Sequence, residues 1–227
     1  MQRLLTCLLL SLFQCSFAVY ASLSESHKLA AEIYETHPFT FFCETPIEDD
    51  FTVLSRNCDL CPLQNTKVKW MQIVPSRKLA QGRACYEAQI CKTSTGKSFK
   101  GLTCCRATDH DFNQMEADLH NIAPEVPNLK YLNDHYSIKA LQVSNTPYLC
   151  DLKVDASAKY ILPPAQSRGA VARTYLYYNQ KYQLPLSEEE KSLFTQWHYA
   201  YPPTPWEKER NAQIYALQGS YNPWILG

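Results

Sequence analysis

The sequence predicts an α+β fold, mainly helical and cross-linked by disulfides, in one domain over residues 22–227 behind a leader of 21 residues. Three observations predict it: helical stripes with start signals fill the C-terminal third, one strand-like run lies near the centre, and eight cysteines follow the leader. Hydrophobic residues are 45% of the chain, enough to bury one core. The 22 Lys and Arg balance 22 Asp and Glu, which excludes a strongly basic nucleic-acid arm and a long charged disordered tail.

The leader places Arg3 before an apolar run from Leu4 to Phe17 and ends in Val19-Tyr20-Ala21, the pattern of a cleaved secretory signal. The run is shorter than the roughly 20 residues a spanning helix needs, so the expectation is a secreted or periplasmic protein without a membrane anchor. Cleavage after Ala21 removes Arg3, Cys7 and Cys15 and leaves one net negative charge.

Leu29, Ala30, Ile33 and Tyr34 form an amphipathic stripe after Ser24, ended by His37-Pro38 and followed by a strand-like Phe39-Thr40-Phe41-Phe42. The next candidate strand runs from Lys67 to Val74, with Val68, Trp70, Ile73 and Val74 directed to the core. Asp109 is placed to cap a helix through Asn121, with Phe112, Met115, Leu119 and Ile122 on one face and Pro124 closing it. Val171, Ala172, Tyr175 and Leu176 define a further helix. The capping box Ser187…Glu190 opens another, with Leu193, Phe194 and Trp197 inward. Thr204, Pro205 and Glu207 start the last, with Ile214 and Leu217 inward and Gly219 as its stop.

The eight later cysteines are Cys43, Cys58, Cys61, Cys85, Cys91, Cys104, Cys105 and Cys150. An oxidising compartment favours disulfides. Cys58-Asp59-Leu60-Cys61 has zinc-knuckle or redox spacing, but no second C-x-x-C or paired His follows it. Eight cysteines allow 105 pairings, so connectivity stays open, although adjacent Cys104 and Cys105 are expected to serve different partners.

Several segments, taken in order, resemble the bacterial endonuclease I family of exported non-specific nucleases, the His-Me finger or ββα-metal class. They are Thr40-Phe41-Phe42-Cys43, Val68-Lys69-Trp70 with Val74-Pro75, Met115 to Ile122, Arg168 to Tyr175, Trp206-Glu207 with Arg210, and Gln218-Gly219 with Asn222-Pro223. The resemblance implies a ββα-metal core embedded in a mainly helical, disulfide-linked domain. It also implies a strand motif W-E-H-x-V-P, whose Glu binds a divalent metal and whose His activates water, and an Asn that completes the metal site from the following helix. Here the strand reads Trp70-Met71-Gln72-Ile73-Val74-Pro75. Met71 stands at the metal-ligand position, Gln72 at the general-base position, and Asn121 is the expected remaining ligand. The family's N-G-D-R-x-N segment is replaced by Lys130 to His135, and its phosphate-binding Arg loop is shortened to Cys85 through Cys91. Two cysteines that the family carries near its C-terminus are absent.

A thioether is a poor ligand for hard Mg²⁺, Mn²⁺ or Ca²⁺, and an amide cannot take a proton at neutral pH. The leading expectation is therefore a catalytically degenerate homologue acting as a binding or interaction protein, with no cofactor and an unnamed protein partner open. The competing expectation is an active metal-dependent endonuclease with a rearranged site, using Mg²⁺, Mn²⁺ or Ca²⁺. Asp109, His110, Asp111, Glu116 and His120 are the candidates for that substitute site. DNA or RNA binding is expected to be weak and salt-sensitive, carried by Arg168 and Arg173 with Lys67, Lys69, Arg77, Lys78 and Arg83 beside the old site. The expected state is a monomer.

Overall fold

The structure is a computed structural model that describes residues 22–53, 66–141 and 148–226. The leader, Cys58 and Cys61 lie outside the described residues. Helix α1 (Leu23–Tyr34) opens on Ser22, whose hydroxyl accepts from the Glu25 N–H while the Glu25 carboxylate accepts from Ser22 N. Ala30, Ile33 and Tyr34 are buried as the stripe predicts, and the helix begins one residue before Ser24.

The strand expected at Phe39–Phe42 is a turn. Thr40 O accepts from Glu44 N, Thr40 Oγ1 accepts from Thr45 N, and Glu44 takes a positive φ of 49°, so the chain folds on itself instead of extending. Strand β1 (Lys69–Gln72) follows and leads into two short helices, α2 (Ser76–Ala80) and α3 (Ala84–Glu87). A hairpin of β2 (Cys91–Lys92) and β3 (Ser98–Phe99) reaches α4 (Leu102–Thr108).

The single helix expected from Asp109 to Asn121 is broken. Asp109 does cap α5 (His110–Ala117) by accepting from Phe112 N, but Asp118 is extended at ψ 122° and caps a separate 3₁₀ turn, Leu119–Asn121. Strand β4 (Ile122–Glu125) starts at once, so Pro124 lies inside a strand rather than closing a helix. It pairs antiparallel with β1, Met71 opposite Ala123 and Gln72 opposite Ile122. Helix α6 (Pro127–His135) comes next, with Pro127 at its first turn and Leu129 and Asn133 on its buried face. A small sheet orders β5 (Ser137–Ile138), β7 (Tyr160–Leu162) and β6 (Lys153–Asp155), with β5 parallel to β7.

The C-terminal third is helical, as predicted. Helix α7 (Ala165–Tyr182) buries Val171, Ala172, Tyr175 and Leu176. Helix α8 (Glu188–Ala200) and helix α9 (Pro205–Gln218) both start on the capping boxes read from sequence, and Gly219 ends α9 in the left-handed conformation. Leu217 departs from expectation: it is exposed, while Ile214 holds the inner face of α9. A last 3₁₀ turn spans Pro223–Ile225. One continuous cluster of buried apolar residues includes Phe42, Met71, Ile73, Phe112, Leu129 and Phe194, and so ties α1, the β1–β4 pair, α5, α6 and α7–α8 together.

Candidate functional site

Met71 and Gln72 end β1 and are both buried, Met71 completely. Helix α6 closes over this end of the strand, and Asn133 Nδ2 donates to Gln72 O at 2.8 Å. The Asn133 side chain is itself buried, and its Oδ1 finds no hydrogen-bond partner among the described residues. Asn121 behaves differently. It lies on the 3₁₀ turn before β4, wholly buried, with Oδ1 accepting from Val74 N at 2.6 Å and Nδ2 donating to Val74 O at 3.0 Å. Both ends of that amide pair with backbone and hold the bend that carries β1 into α2. Asn121 is the helix ligand expected from the sequence, but the asparagine on the helix that closes over β1 is Asn133.

The side chains at these positions offer one buried thioether, one Gln amide and one orphan Asn oxygen. They do not fit a hard divalent cation, which needs several oxygens with carboxylate among them. Among the described residues no group of three or more His, Cys, Asp or Glu is placed to hold a metal.

The substitute candidates do not converge. Asp109 receives Arg83 Nη1 at 2.7 Å on both oxygens, and these contacts with the Phe112 N–H hold its carboxyl below the usual range against the effect of burial. Glu116 is buried and taken by Arg106, at 2.8 Å and 2.6 Å, and by Ser76 Oγ at 2.6 Å. His110 and Asp111 point to solvent on α5. His120 is buried against Tyr177, and burial lowers its pKa to about 4, so the imidazole is neutral.

The cations divide in the same way. Arg173 is 1% exposed and gives Nε and Nη2 to Glu207 at 2.8 Å and 2.6 Å and Nη1 to Tyr201 O at 2.7 Å. The guanidinium expected to contact phosphate therefore has almost no exposed surface. Arg168 is half-buried, bonded to Pro163 O and the Tyr201 hydroxyl and set over the Trp197 and Tyr201 rings. Lys78 pairs with Glu190 and Arg83 with Asp109. Lys67 and Lys69 are exposed, and Arg77 is half-buried with no ion pair among the described residues. Arg106 and Arg210 were not legible as partners: Arg210 Nη2 donates to Leu119 O and Ile122 O, and its partners lie 91 and 88 residues away.

Among the described residues three disulfides are formed: Cys43–Cys150, Cys85–Cys105 and Cys91–Cys104. The adjacent cysteines do serve different partners.

Residues 22–226 match the model of the Endonuclease I family, and the chain belongs to it. It is 32% identical over 161 residues to an Endonuclease-1 of Buchnera aphidicola, covering 70% of this chain and 60% of that relative, so it spans less than two thirds of that protein's length. Two Aeromonas hydrophila proteins are matched over more of their length. An extracellular deoxyribonuclease is 31% identical over 204 residues, 85% of this chain and 84% of its own. A periplasmic deoxyribonuclease is 29% identical over 203 residues, 86% of this chain and 81% of its own.

Proposed function

We propose that the protein is an exported endonuclease I homologue whose hydrolytic centre is silenced at Met71 and Gln72 and which acts by binding. We read β1, β4 and α6 as the family's ββα finger, with Asn133 in the place of the helix asparagine. The observation that carries the reading is the wholly buried thioether of Met71 at the metal-ligand position, beside an amide at the position of the base. Loss of a general base alone costs about 10²–10⁴ in rate, and without a carboxylate there is no strong anchor for the metal that would stabilise the transferring phosphoryl group. The salt bridges of Glu116 and Asp109 argue against a relocated site. We take residues 1–21 as the secretion signal and 22–227 as the exported domain. The family match beginning at residue 22 and the extracellular and periplasmic names of the Aeromonas relatives support this. Lys67, Lys69 and Arg77 remain to contact phosphates, which supports weak, salt-sensitive binding of nucleic acid.

The test is plasmid cleavage with Mg²⁺ or Mn²⁺ by the oxidised protein beside the double reversion Met71→Glu, Gln72→His. The natural protein is expected to leave supercoiled plasmid intact and the revertant to nick it. Chelator-sensitive cleavage by the natural protein, abolished in Asn133→Ala, would instead establish an active enzyme with a rearranged site.

A further inference from the structure

We propose that the cleft between α2, the start of β5 and the α7–α8 hairpin is a binding site for a nucleotide phosphomonoester. The cleft has a volume of about 200 Å³, and its walls include Arg77, Tyr86, Tyr136, Ser137, Tyr175 and Glu190. It lies beside the chain that leaves the silenced strand, since its lining includes Pro75, three residues beyond Gln72, and Tyr136, three beyond Asn133. Both approaches are fixed, one by Asn121 on Val74 and the other by Asn133 on Gln72.

Two of the cleft groups that have no hydrogen-bond partner among the described residues matter most. Arg77 is half-buried and, among the described residues, is the one arginine with neither a hydrogen bond nor an ion pair. Arg83, Arg106 and Arg173 hold carboxylates, and Arg168 and Arg210 hold backbone carbonyls. The second group is Tyr175. Its side chain is 5% exposed and stacked on Phe194 at 4.4 Å, and its hydroxyl makes no hydrogen bond to a described residue. Burial and the nearby Glu190 hold that hydroxyl protonated, so it is available as a donor.

Charge and shape then select the ligand. Glu190 is spent on Lys78, at 2.9 Å and 3.1 Å, and on the Ser187 N–H, so the surplus charge on the cleft wall is the guanidinium of Arg77. The cleft wall thus offers a guanidinium, a tyrosyl hydroxyl and the Ser137 hydroxyl from three different elements. Donors so spread suit the three terminal oxygens of a phosphomonoester better than a flat carboxylate. Tyr86 and Tyr136 are half-buried aromatic flanks on which a base or sugar can pack. A cleft of this size suits one phosphate and its ring, not a continuing duplex. The ligand is a free nucleotide or the phosphorylated end of a strand. The proposal deepens the binding role above and rests on it only for the polymer in the second case.

The experiment is fluorescence anisotropy in EDTA with a short single-stranded oligonucleotide carrying either a 5′-phosphate or a 5′-hydroxyl, read for the natural protein, Arg77→Gln, Tyr175→Phe and Lys69→Gln. The phosphorylated probe is expected to bind about tenfold or more tighter. That preference is expected to vanish in Arg77→Gln and to fall about threefold in Tyr175→Phe, whose fold is checked by its melting curve. Nucleoside 5′-monophosphate is the competitor. Competition as strong as that of the phosphorylated oligonucleotide supports the proposal with the free nucleotide as ligand, and weaker competition supports it with the strand end. Equal affinity for the two probes, a preference that survives Arg77→Gln, or no binding of either probe overturns it. If Lys69→Gln weakens both probes alike while Arg77→Gln changes neither, general nucleic-acid binding stands and this site falls.

Discussion

Asp118 and Glu125 are buried carboxylates seven residues apart, and the fold treats them in opposite ways. Asp118 accepts from His120 N, Gln218 Nε2, the hydroxyls of Tyr177 and Tyr182 and Lys181 Nζ. Together these outweigh burial and hold its carboxyl well below the usual range. Among the described residues Glu125 has only the backbone N–H groups of Phe42 and Val126, at 2.7 Å and 2.8 Å, and burial pushes it up to about 7. A raised carboxyl contributes stability that is complete below its unfolded value near 4.5 and lost as the pH rises through 7. The size is about 3 kcal/mol. His120 acts in the opposite sense, since its depressed pKa contributes stability above 6.5 that is lost as the pH falls through about 4. The clean quantity is therefore the difference in unfolding free energy between Glu125→Gln and the parent. We expect urea titrations to show it moving by about 3 kcal/mol in favour of the variant between pH 4.5 and pH 8. A difference that stays flat with pH would mean that Glu125 is not the titrating group.

At the scale of elements, α8 and α9 were legible because a capping box is a contact within four residues, so the sequence contains all of it. The break in α5 was not legible. Met115 to Ile122 has helical spacing, and only the distant Tyr177, Lys181, Tyr182 and Gln218 make an extended Asp118 favourable. The turn at Phe39–Phe42 was hidden for the same reason, since Phe41 N and Phe42 N are satisfied by Pro124 O and Glu125. Gly169 shows how tightly such long-range contacts set an element. A Cβ there would lie 2.3 Å from Tyr201 O and 2.5 Å from Arg173 Nη2. Neither can give way without parting α7 from the end of α8 and loosening the Arg173–Glu207 pair. Gly169→Ala would raise helix propensity by about 1 kcal/mol, yet we expect a net loss of about 2–4 kcal/mol from overpacking and the disturbed buried pair. Denaturant midpoints would measure it, and a more stable variant would disprove the close approach.

Over the whole molecule, the altered strand was legible because Trp70 to Pro75 is one short run, whereas the roles of Asn121 and Arg173 were not, since their partners Val74 and Glu207 stand 47 and 34 residues away. Disulfide pairing was equally hidden, and its topology leads to a prediction about the whole chain. Cys43–Cys150 spans 107 residues and encloses Cys85–Cys105 and, within that, Cys91–Cys104, which span 20 and 13. If cross-links act by restricting the unfolded chain, the outer bridge contributes about 5 kcal/mol and a loop of the inner size about 3 kcal/mol. Nesting sharpens the contrast. With Cys85–Cys105 closed, Cys91 and Cys104 are already joined by a short path through that bridge, so losing their own bond frees little further entropy. The outer loop is hardly shortened by the inner bridges and keeps nearly its full effect. Against a total stability of about 5–15 kcal/mol for a domain, Cys43→Ser, Cys150→Ser is expected to bring the protein close to unfolding at 37 °C. Cys91→Ser, Cys104→Ser is expected to cost less than about 3 kcal/mol, with urea unfolding of oxidised, purified variants as the measurement. Equal losses from the two pairs would show that the bridges act through packing of Cys91, Cys104 and their neighbours in the folded core rather than through the unfolded chain.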